Sequence, residues 1–293
     1  MRGWLVINSF AQTDDSQALF GLLKDAAEEK GVELITRRTV DLTCPVGEEG
    51  EMELPDFVIF WDKDVLLARR LEQAGLRLFN SASAIETCDS KALCAIALSR
   101  ENVPAPRTYI SPKTFEYFGY NDLSFLSEYG ESLGYPYVIK EEFGSFGLNV
   151  SLVKNREEAA ERVEKMGFRT FVAQEYIEES AGHDLRCYVV GDRVVASMLR
   201  ENKNDFRSNI FQGGQGTAYE ISPEEEELAV MACRAVGCDF CGVDILVGEG
   251  ISPLVCEVNS NAHFTGLLRC TGINMAPHII GYVRDHVLQD NRS

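Results

Sequence analysis

The stretch Pro253-Leu-Val-Cys-Glu-Val-Asn-Ser-Asn261 carries the clearest chemistry in this 293-residue chain. Leu254 to Val258 is apolar and β-branched except for one carboxylate, which reads as a buried strand. Side chains alternate along a strand, so Glu257 and Asn259 are expected on one face, with Cys256 and Val258 on the other. A carboxylate among apolar neighbours is costly unless something pairs with it. Two oxygen-bearing side chains on one face suit a hard cation such as Mg2+. Cys241-Gly-Val-Asp-Ile-Leu-Val247 repeats the pattern around Asp244. Antiparallel pairing through a turn at Gly248 to Ser252 would set Asp244 beside Glu257 and Asn259. The other reading of each acid is a partner arginine or a backbone amide.

Positive charge and glycine recur upstream. Pro136-Tyr-Val-Ile-Lys140 is a predicted strand, and Gly144-Ser-Phe-Gly147 follows at once. Such a loop lets backbone amides approach a polyphosphate closely. It lacks the Gly-Lys-Ser/Thr of a Walker loop, and its lysine precedes it. Arg200 to Asn209 is a polar run containing Arg207, with Gln212-Gly-Gly-Gln-Gly216 beyond it. Arginines beside glycines suit an anion, since guanidinium matches phosphate oxygens with two hydrogen bonds; a surface loop is the plainer reading. Gln174-Glu-Tyr-Ile177 ends a strand, where backbone groups passing between two lobes can read an adenine edge. Asp184, Arg186 and Tyr188 share one face of the next strand. Cys238-Asp-Phe-Cys241 has CxxC spacing without a second pair or a suitably spaced histidine, so two buried thiols are expected rather than zinc.

The elements that must position these residues begin with a β-α-β-α-β alternation. Strands are expected at Gly3–Ser9, Val32–Thr36, Phe57–Trp61 and Leu76–Phe79, with helices at Ser16–Lys30 and Val65–Ala74. That order predicts an open, mostly parallel sheet. No GxGxxG follows the first strand. Asp62, Lys63 and Asp64 lie at the carboxyl end of a strand, where open sheets place ligands, or form a plain polar loop. Cys44 to Pro55 reads as an acidic loop. One helix is expected over 84–99, capped by Ser83 or Asn80, with Lys91 inside it, ordinarily a solvated position. Val103-Pro-Ala-Pro106 ends that element. Helical character is expected over 115–134 and 156–166. Ser222 caps a helix, with Pro223 in its first turn and Glu225 completing a capping box. A last helix spans about 274–287. Boundaries near Pro104 and Gln174 divide the chain into residues 1–103, 104–173 and 174–293.

Composition narrows the function classes. Hydrophobic residues make up 45% and charged residues 25%, as in a globular protein with room for a large core. The formal net charge of −18 argues against a nucleic-acid backbone as main partner. No apolar run reaches membrane-spanning length and no secretion signal opens the chain, so a cytoplasmic protein with reduced thiols is expected from its nine cysteines. The sequence is silent on oligomeric state and compatible with a homo-oligomer.

Taken together, these segments resemble the ATP-grasp superfamily, in particular the RimK-type carboxylate–amine (alpha-L-glutamate) ligases. The likeness runs from Lys91 through Tyr-Val-Ile-Lys140 and the glycine loop to Gln174-Glu-Tyr-Ile, Asp184-x-Arg, Asp-Phe-Arg207-Ser-Asn209, Gly-Val-Asp244 and Glu257-Val-Asn259. The resemblance implies an α/β fold, α+β in its second half, with ATP held between central and C-terminal lobes. It implies that Lys91 and Lys140 contact the ATP phosphates. Glu175, Tyr176 and Ile177 would form the adenine hinge, Asp184 would lie by the ribose, and Arg207 and Asn209 would reach the triphosphate end. Asp244, Glu257 and Asn259 would hold Mg2+, as two ions, with Mn2+ as a substitute. Arg200 and Arg207 would act in catalysis, Arg200 on the tetrahedral oxyanion. The implied reaction joins a carboxylate substrate to an amine acceptor through an acyl phosphate, releasing ADP and phosphate; glutamate is one candidate amino acid. The segment after Asn259 departs from the family's pattern: Ser260-Asn-Ala-His263-Phe264 replaces Ser/Ala-x-Pro-Gly, and His263 is read as a substrate contact, a base or a loop residue. The lid has Gly-Leu-Asn149 in place of Gly-x-Gly. Competing readings are an ATP-binding sensor or scaffold without turnover, and an ATP-grasp kinase or carboxylase subunit.

Overall fold

The computed structural model describes residues 1–11, 13–45, 53–145, 147–209 and 213–290. Most of the acidic stretch between Cys44 and Pro55, Phe146 of the glycine loop and Gln212 of the glycine run lie outside the described residues. The N-terminal part contains β1 (Arg2–Ile7), α1 (Asp14–Glu29), β2 (Glu33–Arg38), β3 (Phe57–Trp61), α2 (Val65–Gln73) and β4 (Leu78–Phe79). They build the expected parallel sheet, in the order β2-β1-β3-β4. Every residue of β3 is buried, as its unbroken apolar run requires of a strand covered on both faces.

The helix expected over 84–99 is two helices, α3 (Ala82–Asp89) and α4 (Lys91–Arg100). Ser90 takes an extended conformation between them, and its Oγ accepts from Leu93 N while donating to Glu142 at 2.5 Å. Serine offers the backbone this alternative to helix, which is the reason for the break. Lys91 therefore opens a helix, half-buried, instead of riding on a solvated face. Ser81, not Ser83 or Asn80, caps α3.

The central part holds β5 (Thr108–Ile110), α5 (Phe125–Leu133), β6 (Tyr137–Glu141), β7 (Val150–Val153), α6 (Arg156–Met166) and β8 (Phe171–Glu175). Its antiparallel sheet runs β5-β8-β6-β7. Helix forms only from Phe125, not from Phe115. Gly119 sits at φ +58°, and Asp122 accepts from Ser124 N in a local turn that competes with helix. One sheet face closes over Leu126, Ile139, Val163 and Phe171 with α5 and α6. The other face, with Val138, Lys140, Val172 and Gln174, is left to a cleft.

The C-terminal part contains β9 (His183–Val190), β10 (Arg193–Glu201), β11 (Gln215–Ala218), α7 (Pro223–Ala235), β12 (Phe240–Leu246), β13 (Leu254–Asn259), α8 (Thr265–Thr271) and α9 (Ala276–Asp290). Its antiparallel sheet runs β11-β10-β9-β12-β13. The capping box of α7 is present, with Pro223 in the first turn. Leu185, Cys187 and Val189 pack under α7, which leaves Asp184, Arg186 and Tyr188 on the opposite face. Arg200 belongs to β10, paired across from Asp184, and not to the polar loop expected there. Cross-strand pairing with β9 carries β10 past the point where its apolar run ends.

The N-terminal sheet and the C-terminal part share one core, in which Leu5, Phe57 and Trp61 meet Phe240, Phe264 and Ile279. Trp61 stacks on Phe240 with centroids 5.9 Å apart. Buried Asn80 fastens the two parts. Its Nδ2 donates to Phe240 O and Ser260 O, both at 2.9 Å, and its Oδ1 accepts from Asp239 N at 2.7 Å. This bond set fixes the end of β13, where Asn259 lies.

Candidate active site

Antiparallel pairing places Asp244 directly opposite Glu257 and Gly242 opposite Asn259. The register then shifts, so that Ile245 pairs with Val255 and Cys256 is the extra residue of a β-bulge. The bulge breaks the expected alternation: Cys256 lines the cleft beside Glu257 instead of facing away. Lys140 Nζ lies 3.5 Å from Cys256 Sγ and donates to Gln174 Oε1 at 2.6 Å.

The two carboxylates differ in environment. Asp244 is buried and accepts from Arg186 Nε and, at 2.8 Å, from Arg186 Nη2; Arg200 Nη2 lies 3.1 Å away. Arg200 forks onto Asp184 at 2.7 and 2.5 Å. The arginine-partner reading of the sequence thus holds for Asp244. Burial pushes its carboxyl up, but Arg186 and Arg200 outweigh burial and hold it below the usual carboxylate range. Burial works against the charge of Arg186, and Asp244 more than restores it, so the guanidinium is held above its ordinary value. The Glu257 side chain makes no hydrogen bond or ion pair among the described residues. Asn259 Nδ2 is buried without a partner there. An unneutralised carboxylate, a second carboxylate across the ladder and an amide oxygen are hard donors that fit a divalent cation. Among the described residues no three His, Cys, Asp or Glu side chains form a metal cluster, so an amide would have to be the third donor.

A cavity of about 110 Å3 between the central and C-terminal sheets gathers most of the predicted residues. Lys91 and Lys140, the segment Glu175-Tyr176-Ile177, and Asp184 line it, as do Arg207, Asn209, Asp244 and Glu257. Arg200 and Asn259 do not. Val138 and Leu246 give it apolar faces. A second cavity, about 840 Å3, opens on the far side of Lys91, Lys140 and Glu257, toward α4 and the Pro104–Thr108 segment.

The glycine loop sits over the smaller cavity. Lys91 Nζ donates to Gly144 O at 2.9 Å, Lys63 Nζ to Ser145 Oγ at 3.1 Å and Arg207 Nη1 to Gly147 O at 2.7 Å. Gly147 has φ +69°, and a Cβ there would fall 2.6 Å from Asn209 Oδ1. Burial pushes the Lys91 ammonium below its ordinary value, opposed by the nearby Glu257 charge. Among the described residues neither Lys91 nor Lys140 has a carboxylate in ion-pair contact; their side-chain hydrogen bonds go to Gly144 O, Gln174 and Cys256.

Three further residues bear on the site or its frame. His263 lies apart from both cavities, its Nδ1 3.4 Å from Asp15 Oδ2, and Tyr188 donates to its carbonyl at 2.5 Å. Arg186 was legible only as a neighbour of Asp184 on one strand face. Asn80 was legible only as a helix cap; nothing in its own segment points to partners 160 and 180 residues away. Cys238 and Cys241 are thiols, with Cys238 Sγ 3.5 Å from Cys88 Sγ.

The model of the RimK-like ATP-grasp domain matches residues 88–283, about two-thirds of the chain. The chain belongs to the RimK-like ATP-grasp family. It is 34% identical over 284 residues to a probable alpha-L-glutamate ligase 2 of Shewanella denitrificans, covering 90% of this chain and 91% of that one. A beta-citrylglutamate synthase B of Danio rerio is 34% identical over 229 residues, covering 78% of this chain; the match spans 54% of that longer relative. A RimK domain ATP-grasp protein from Sphaerobacter thermophilus superposes with a TM-score of 0.73 at 20% identity, covering 96% of this chain and 99% of that one. That likeness shows the ATP-grasp fold. This RimK-like protein is an ATP-dependent carboxylate–amine ligase. Among its described residues no helix is long and apolar enough to cross a membrane.

Proposed function

We propose that the chain joins a carboxylate to the amino group of an amino acid, with L-glutamate the first to test, through an acyl phosphate that yields ADP and phosphate. The observation that carries this is a set of charges of both signs facing one cavity without ion-pair contact. Among the described residues Lys91 and Lys140 are in ion-pair contact with no carboxylate and Glu257 with no cation, although Glu257 is near enough to Lys91 for its charge to be felt. Polyphosphate together with a divalent cation neutralises both at once. Glu257 and Asn259 would hold Mg2+, one ion or two, with Mn2+ able to replace it, and Asp244 would join them by exchanging a guanidinium partner for the ion. The ion supplies charge neutralisation at the transferring phosphoryl group.

The chain's own residues do the rest. Val138 and Leu246 sandwich the base, the Glu175–Ile177 backbone reads its edge, and Asp184 meets the ribose. Lys91, Lys140 and Arg207 exchange their loop and side-chain partners for phosphate oxygens, with Asn209 under the loop. Their charge makes attack by an anion on an anion feasible. The loop around Gly147 excludes water from the acyl phosphate. Arg200 would have to leave Asp184 to reach an oxyanion, so we assign it to positioning Asp184 and Asp244.

The test is the purified chain with Mg-ATP, L-glutamate and a panel of carboxylates including citrate, N-acetylaspartate and short peptides. ADP together with a new amide by mass spectrometry is expected. Nucleotide binding without turnover across the panel would favour the sensor reading, and a phosphorylated product without amide the kinase reading.

A further inference from the structure

Unpartnered polar atoms gather at the seam between the N-terminal sheet and the loop after β13. Asp62 directly follows β3 and is 7% exposed. Its Oδ1 accepts from Lys63 N at 2.5 Å and Asp64 N at 3.1 Å, and Asn8 also bears on the carboxylate, while Oδ2 is buried with no hydrogen bond among the described residues. Asn261 Nδ2 donates to Asp62 O at 2.8 Å, and Asn261 Oδ1 is likewise buried and unpartnered. Two free acceptors therefore sit on residues in direct contact. No cation balances them: Lys63 Nζ turns away to Asp89 at 2.6 Å, and Asp62 makes no ion pair among the described residues.

A buried acceptor without a donor costs about 1–3 kcal/mol, and more when it is charged. Burial pushes the Asp62 carboxyl up, and Asp64 adds to it; the backbone amides and Asn8 only partly offset this. A group with several N–H donors and a positive charge would satisfy both acceptors and reverse that penalty. An ammonium is such a group. The place suits it: open sheets bind ligands at strand carboxyl ends, and Asn261 is two residues beyond Asn259.

Resting on the ligase reading above, we propose that Asp62 Oδ2 and Asn261 Oδ1 form the subsite for the α-ammonium group of the amino-acid substrate. Asp62 supplies the charge and takes the proton the nitrogen gives up as it attacks the acyl carbon and phosphate leaves, and Asn261 both shares the ammonium and ties the loop after β13 to the N-terminal sheet. The subsite selects an amino acid over a neutral nucleophile.

Hydroxylamine separates the two halves of the reaction. It carries no ammonium charge at neutral pH, and it captures an acyl phosphate as a hydroxamate without using this subsite. Wild-type protein and Asp62→Asn, with folding checked by thermal melting, are given Mg-ATP, the carboxylate panel, and either hydroxylamine or L-glutamate. The expected result is hydroxamate formation within about threefold of wild type and a KM for L-glutamate raised tenfold or more. Asn261→Ala should shift KM the same way, and carries the test if Asp62→Asn does not fold. An unchanged KM for L-glutamate in a folded variant overturns the subsite, and so does loss of hydroxamate in step with amide, which would move Asp62 to the phosphoryl step. No hydroxamate from wild type with any carboxylate removes the ligase reading itself, and the subsite with it.

Discussion

Asp244 lies between two guanidiniums, and that fixes how the site responds to acid. Its carboxyl is held below the ordinary carboxylate range, with Arg186 and Arg200 outweighing burial. A group depressed in the folded state stabilises the protein above its unfolded value and loses that contribution as pH falls through the folded one. The urea midpoint should therefore drop below about pH 4, with a weaker drop in Asp244→Asn. Removing one partner of a buried pair leaves uncompensated charge and costs about 3–5 kcal/mol. Arg186→Met should lose that order of stability in urea unfolding, softened because Arg200 stays. Glu257 has no such structural task. Glu257→Ala should leave the melting temperature within a few degrees of wild type while substrate-dependent ADP formation disappears. Full activity in that variant would remove Glu257 from the site.

The glycine loop and the α3–α4 break show what elements add to residues. Gly147 at φ +69° lies over Asn209, and a side chain in the left-handed region costs about 1–2 kcal/mol. Gly147→Ala should raise KM for ATP by roughly five- to thirtyfold, read in steady-state kinetics, and an unchanged KM would separate the loop from nucleotide binding. Elements with local signals were legible in sequence. The α7 capping box, the parallel β-α-β alternation and the Asp244–Glu257 pairing each follow from a few adjacent residues. Features decided by distant partners were not. The bulge that turns Cys256 into the cleft depends on how β12 and β13 register. The extension of β10 to Arg200 depends on Asp184 across the ladder. Ser90 breaks a helix whose flanking residues favour helix on both sides, because Glu142 takes its hydroxyl.

Across the whole molecule, the cores divide differently from the three stretches read in sequence. The N-terminal sheet and the C-terminal part share Trp61, Phe240 and Phe264, whereas the central sheet has its own core. The central and C-terminal sheets face each other across the cleft. Phe264→Ala should cost about 3–5 kcal/mol and lower protection against hydrogen exchange in α1 and α9 together, with the central sheet unaffected. Mg-ATP at a hundred times its Kd should add about 2.7 kcal/mol to stability. The central claim is that the cleft activates a carboxylate by phosphorylation, and isotope transfer tests it most directly. With a substrate from the panel labelled with oxygen-18 in its carboxyl group, one labelled oxygen should appear in inorganic phosphate for each amide formed. Amide formed with unlabelled phosphate, or with AMP and pyrophosphate as products, would contradict it.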